Sequence, residues 1–176
     1  MFLKLNNMEI LNITIPAVIV FITAYLLLDK MFKNEETRRT FELKKDNFAM
    51  LTPIRLRAYE RLTLFLERTN PNSLIVSVIQ PNMNSMQLHA KLLETVRLEY
   101  SHNIAQQVYV SDEVWQSIVA AKESLIKLIN TCATMCNPNE PATVLAEKII
   151  QLYAASENTP TEIALEALKE EIRKNF

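Results

Sequence analysis

Nineteen consecutive residues, Ile10 to Leu28, carry no charge and lie between Glu9 and Asp29. A hydrocarbon core of about 30 Å needs roughly 20 apolar residues of helix. The run ILNITIPAVIVFITAYLLL meets that length. The same chain contains no glycine, the residue that supplies left-handed turns and close backbone approach. What lies outside a membrane is therefore expected to be helix.

The details of the run suit a span. Pro16 is expected in its first turns, where a missing N–H costs little. Asn12 and Thr14 can cap the exposed N–H groups. Tyr25 suits the far interface. A buried core helix would show a polar stripe, and this run shows none. A cleaved signal peptide would have only Lys4 in its basic segment and no small-residue cleavage site after the run. No cysteine stands there for lipidation.

Lysines and arginines set the orientation. Lys4 precedes the run; Lys30, Lys33, Arg38, Arg39, Lys44 and Lys45 follow it. The positive-inside rule places the N-terminus outside and the remainder in the cytoplasm. Four segments are expected: residues 1–9 as a short extracytoplasmic N-terminus, 10–28 as the transmembrane helix, 29–51 as a charged juxtamembrane helix, and 52–176 as a helical cytoplasmic domain. The overall charge of −1 implies no polyelectrolyte role. The basic end lies nearest the membrane, where Lys30, Lys33, Arg38 and Arg39 are placed to touch anionic headgroups.

Local signals divide the rest. In 29–51, Glu35–Arg39 and Glu42–Lys45 have helical pairing distances. Leu27, Met31, Phe41 and Phe48 fall near a heptad seam, interrupted by Asn34, Arg38 and Lys45, which leaves a homodimer through this helix as an alternative to a solvated stalk. Thr52-Pro53 reads as a helix start, running to about Arg68. Leu74–Ile79 is β-branched and bounded by prolines, and is read as a short helix because a strand would have no partner. Asn84-Ser85 opens a helix to about Val108, Ser111 one to about Cys136, and the Asn137–Pro141 loop precedes one to about Ala155. Thr159-Pro160-Thr161-Glu162 is a capping box for the last helix, to Lys174. The fold class is all-α: one N-terminal transmembrane helix, a charged stalk, and a compact domain of five to six helices.

The candidate chemistry is sparse. Phosphate-cradling loops require glycine, so nucleotide-loop folds are excluded. Cys132 and Cys136 share a helix face with Ile118, Leu125 and Ile129, and read as small buried hydrophobes rather than metal ligands. His89 and His102 lie roughly 140° apart on one helix and cannot close a site together. His89 falls in an apolar arc. Trp115 is expected to anchor the core beside Ile118, Val119, Leu125, Ile126 and Ile129. No catalytic residue, metal or cofactor is expected.

The helix after Pro53 is the most informative. Ile54, Ala58, Tyr59, Leu62, Phe65 and Leu66 form its apolar face, and Arg55 projects into it. A buried guanidinium needs a carboxylate, with Glu94 and Glu99 as candidates; the plainer reading lets Arg55 snorkel to solvent. Arg57, Arg61 and Arg68 form a separate stripe that could contact phosphate or a partner. A solvated face is the default there, and the absence of interleaved aromatic residues disfavours single-stranded nucleic acid.

The stretches ITIPAVIVFITAYLLLDKMF, LTPIRLRAYERLTLFLER, LEYSHNIAQQVYVSDEVWQSIVAAKESLIKLIN and PTEIALEALKEEIRK resemble an uncharacterised bacterial family. The resemblance implies one N-terminal transmembrane helix, a cytoplasmic helical domain and the bacterial inner membrane as location. It implies no catalytic residues. The function expected is therefore a membrane-anchored docking or accessory protein without catalysis, bound to the bilayer and to another membrane or cytoplasmic protein. The alternatives are an anionic-lipid- or nucleic-acid-binding module using the arginine stripe, or an enzyme built from scattered residues such as Arg55, Glu94, Glu99 and His102.

Overall fold

A computed structural model describes residues 7–175, with the side chains of residues 15–175 except 37, 43, 44, 46 and 47. The expected external N-terminus lies mostly outside the described residues, as do the side chains of Lys4, Asn12, Thr14 and Lys44. The described chain is all-helical. α1 spans Asn7–Thr69, α2 Pro71–Val78, α3 Ser85–Asn103, α4 Asp112–Thr134, α5 Ala142–Ala154 and α6 Pro160–Asn175. A 3₁₀ helix, Ile104–Tyr109, follows α3. Among the described residues there is no strand, only an isolated bridge between Asn84 and Pro141. Two compact units divide between Leu51 and Thr52.

The first unit is helical throughout its described part. Within it begins a segment, Ile15–Glu42, long and apolar enough to cross a membrane, and none of its most apolar window is buried. Leu27, Met31, Phe41 and Phe48 are all exposed. The ion pairs differ from those expected: Lys33 binds Asp29 at 2.8 Å and Arg38 binds Glu42 at 2.9 Å, both at i,i+4. Pro16 is the tenth residue of α1 rather than part of its first turn.

α1 also continues through Thr52-Pro53, where the sequence suggests a start. Proline removes one N–H donor and its ring crowds the preceding turn. The helix formers on both sides carry the helix past that loss.

In the second unit, caps replace the absent glycines. Asn70 accepts a hydrogen bond from the Asn72 amide at 3.1 Å, and Pro71 takes the first position of α2. Leu74, Ile75 and Val78 are buried on one face, so the β-branched run is helix. Asn84 and Gln87 cap α3 reciprocally, at 2.8 and 3.0 Å. Thr159 and Glu162 do the same for α6, at 3.3 and 2.9 Å. Asn82 and Asn158 take positive φ, 65° and 55°. Asparagine tolerates the left-handed region better than other residues with a side chain, so it serves here where glycine would be usual.

α3 ends five residues before the expected Val108. Asn103 turns inward and donates through Nδ2 to the Glu99 carbonyl at 2.8 Å, and the chain tightens to the 3₁₀ helix. α4 likewise stops at Thr134, before Cys136.

Two apolar clusters form the core. Leu74, Leu88, Leu92, Ile129, Leu145 and Ile149 centre one, from α2 to α5. Tyr59, Leu62, Phe65, Ile118, Ala164 and Leu168 centre the other, from α1, α4 and α6. α4 serves both because Val114, Ile118, Ala121, Leu125, Ile129 and Cys132 recur at three- and four-residue steps. Trp115 departs from expectation: it is half-buried at the edge of the second cluster, stacked on Tyr100 with centroids 5.8 Å apart. Its position, one residue after buried Val114, turns it away from the α4 seam.

Candidate functional site

A polar clasp joins α1, the start of α4 and α6. Ala164 and Leu168 are buried on α6, and Glu171 continues their spacing, so its carboxylate is carried inward. Glu171 Oε1 accepts from the Tyr59 hydroxyl at 2.8 Å and from Arg55 Nη2 at 3.4 Å. Its Oε2 accepts from the Ser111 amide at 3.1 Å and from the Ser111 hydroxyl. Arg55 also donates through Nη2 to the Tyr59 hydroxyl at 2.8 Å and through Nε to the Tyr109 carbonyl at 3.1 Å.

The electrostatics follow from these contacts. Burial pushes the Glu171 carboxyl upward. Hydrogen bonds from the Ser111 and Tyr59 hydroxyls and the Ser111 amide, with the charge of Arg55, outweigh it and hold the group below its ordinary value. Burial, then the hydrogen bond and charge of Glu171, push the Tyr59 phenol upward. An ionised carboxylate offers about four lone-pair sites, and this one is filled by four donors. It acts as a clasp between α1, Ser111 and α6.

Arg55 thus neither snorkels free nor pairs with Glu94 or Glu99. Glu94 is on the surface with Lys91, at 2.9 Å. Glu99 instead faces Arg68, at 3.7 Å.

That second pair lines a cleft between α1 and α3. Arg61, Arg68, Glu99, His102 and Asn103 surround a cavity of about 130 Å³. Arg61 and Arg68 are therefore brought together, and Arg57, also exposed, lies outside the cleft. The expected stripe of three is two plus one. Lys30, Lys33, Arg38 and Arg39 are all exposed, in the first unit.

The remaining candidates lie outside both the clasp and the cleft. Cys132 and Cys136 carry free thiols, the first buried. His89 is half-buried and its Nε2 lies 2.8 Å from Asn130 Oδ1. Among the described residues no group of three or more His, Cys, Asp or Glu could hold a metal ion.

Residues 6–175 match the family of unknown function DUF7935. The chain belongs to that family. No curated protein and no solved structure matches the chain. In this DUF7935 member, sequence reasoning missed Glu171 as the carboxylate partner of Arg55, and Ser111 as the second donor that holds Glu171. The signal was present: Glu171 occupies the apolar register of α6, seven residues after Ala164, where a solvated acid would be out of place.

Proposed function

We propose that the chain is a single-pass accessory protein of the bacterial inner membrane that holds its helical unit in the cytoplasm to dock a protein partner. We assign it no catalytic step. One observation carries the reading: a helix long and apolar enough to cross a membrane, with none of its apolar window buried. The core helix of a soluble protein would bury most of such a face. Leaving such a face in water costs about 25 cal/mol per Å² of apolar surface, which supports lipid as its surroundings.

The basic residues after the span support the cytoplasmic side for the second unit. Lys30, Lys33, Arg38 and Arg39 are solvent-facing and suit contact with anionic headgroups. The resemblance in sequence supports the bacterial inner membrane.

A docking role draws on the 3₁₀ helix. None of its six residues is buried, yet it displays Ile104 and Val108, the latter 73% exposed. The turn is held in place, because Arg55 fixes the Tyr109 carbonyl. A fixed, exposed apolar turn is a low-entropy anchor for an apolar partner surface. The test is a photocrosslinking residue at Val108 in intact membranes, with Glu147 as a control position. A protein adduct from 108 and none from 147 supports docking. Lipid adducts alone, or equal adducts from both, overturn it.

A further inference from the structure

We infer that the cleft between α1 and α3 is a binding site for a phosphate monoester, held by Arg61, Arg68 and His102. The inference is independent of the membrane and docking readings, since every residue it uses lies in the second unit.

Size restricts the ligand first. The cavity, about 130 Å³, is well below the roughly 300–1,000 Å³ of pockets that enclose whole small molecules. It suits one headgroup with the rest of its molecule outside. Charge restricts it next. Two guanidiniums and an imidazole face one carboxylate, Glu99. Among the described residues Arg61 makes no ion pair, and Arg68 is held to Glu99 only at 3.7 Å. Both arginines keep donors to offer, and a guanidinium presents them in a planar fork that matches two oxygens of a phosphate. The planar forks of the two guanidiniums, rather than net charge, favour an oxyanion over a cation here.

Two features oppose an anion. The C-terminal ends of α1 and α3 each bring roughly half a negative charge, and Glu99 brings a full one. Glu99 therefore acts as a competitor that the incoming phosphate displaces from Arg68. Nucleic acid is a poorer occupant, because Phe65, the cleft's aromatic residue, is 1% exposed and offers no face for base stacking.

The experiment uses the full chain in nanodiscs and ³¹P line broadening. In one arm the discs are neutral and glycerol 3-phosphate is added in solution. In the other, phosphatidic acid is built into the disc. Saturable broadening is expected, weakened about tenfold or more by Arg61→Gln or Arg68→Gln, each the loss of a charge-assisted contact. Glu99→Gln should tighten binding several-fold, a gain that no loss of fold can mimic. Binding in the first arm identifies a soluble phosphate monoester as the source; binding confined to the second identifies a lipid headgroup. No saturable broadening in either arm, or broadening indifferent to all three substitutions, overturns the site.

Discussion

The Tyr59 hydroxyl donates to Glu171 Oε1 at 2.8 Å across 112 positions of sequence. Tyr59 is 1% exposed and Glu171 9%. This bond ties the end of the chain to α1, and Ser111 and Arg55 close the same network. Removing one partner strands the others in a low-dielectric site, which costs more than the bond itself contributes.

Tyr59→Phe should cost about 1 kcal/mol and Glu171→Gln about 1.5–3 kcal/mol, since the second also unpairs Arg55 and weakens both Ser111 contacts. Urea denaturation measures both. Equal, negligible losses would mean that the clasp is solvated rather than structural.

The clasp also sets a pH response. The Glu171 carboxyl is held below its ordinary value in the fold. Its stabilisation is then full above the unfolded carboxylate value of about 4.3 and is lost as pH falls through the lower, folded one. Tyr59 is shifted up, so its contribution is full below about 10 and is lost at higher pH. Glu171→Gln should flatten the acid limb of a melting-temperature profile and leave the region from pH 6 to 8 parallel to the parent. An unchanged acid limb would remove Glu171 as its cause.

Ile118 and Trp115 should rank in the reverse of their sizes. Ile118 is fully buried, and Ile118→Ala should cost about 2–5 kcal/mol. Trp115 is half-buried and stacks on Tyr100, which also meets the Phe65 ring edge-on at 6.1 Å and the Lys122 ammonium at 4.2 Å. Trp115→Ala should cost less, about 1–3 kcal/mol, from partial burial and one aromatic pair. Denaturation midpoints with Trp115→Ala the more damaging would restore it as the core anchor.

Much of this was legible in the sequence for local reasons. Asn84–Gln87 and Thr159–Glu162 cap helices through contacts three residues apart, so spacing alone reveals them. The buried steps of α4 are likewise visible in its apolar period. What was not legible is non-local. Thr52-Pro53 carries a start signal, but a signal of that strength cannot end a helix that is already propagating through it. Trp115 was placed by its hydrophobicity, although its register beside Val114 turns it outward. The partner of Arg55 lies 116 residues away; the apolar register of Glu171 in α6 marks it as buried, but no pattern near Arg55 selects it over Glu94 or Glu99. The arginine pair at Arg61 and Arg68 was visible as a spacing. Its cleft was not, because His102 and Glu99 reach it from another helix.

Orientation should depend on the basic flank. Replacing Lys30, Lys33, Arg38 and Arg39 with Gln removes most of the asymmetry and leaves the apolar run intact. A periplasm-active reporter on the C-terminus should be silent on the parent and gain activity on the fourfold variant. Activity on the parent would reverse the proposed topology.

Cutting the chain before Thr52 should leave a folded unit. Residues 52–176 hold both apolar clusters, and every member of the Glu171 clasp lies within them. In such a fragment Thr52 and Pro53 become the cap and first position of a new helix, the role their chemistry suits and α1 overrides. The fragment should give a helical far-ultraviolet spectrum and a single cooperative urea transition. Its response to Glu171→Gln should equal that of the full chain, because the clasp draws nothing from residues 1–51. A non-cooperative transition, or a spectrum with substantial strand, would show that the second unit requires the first to fold.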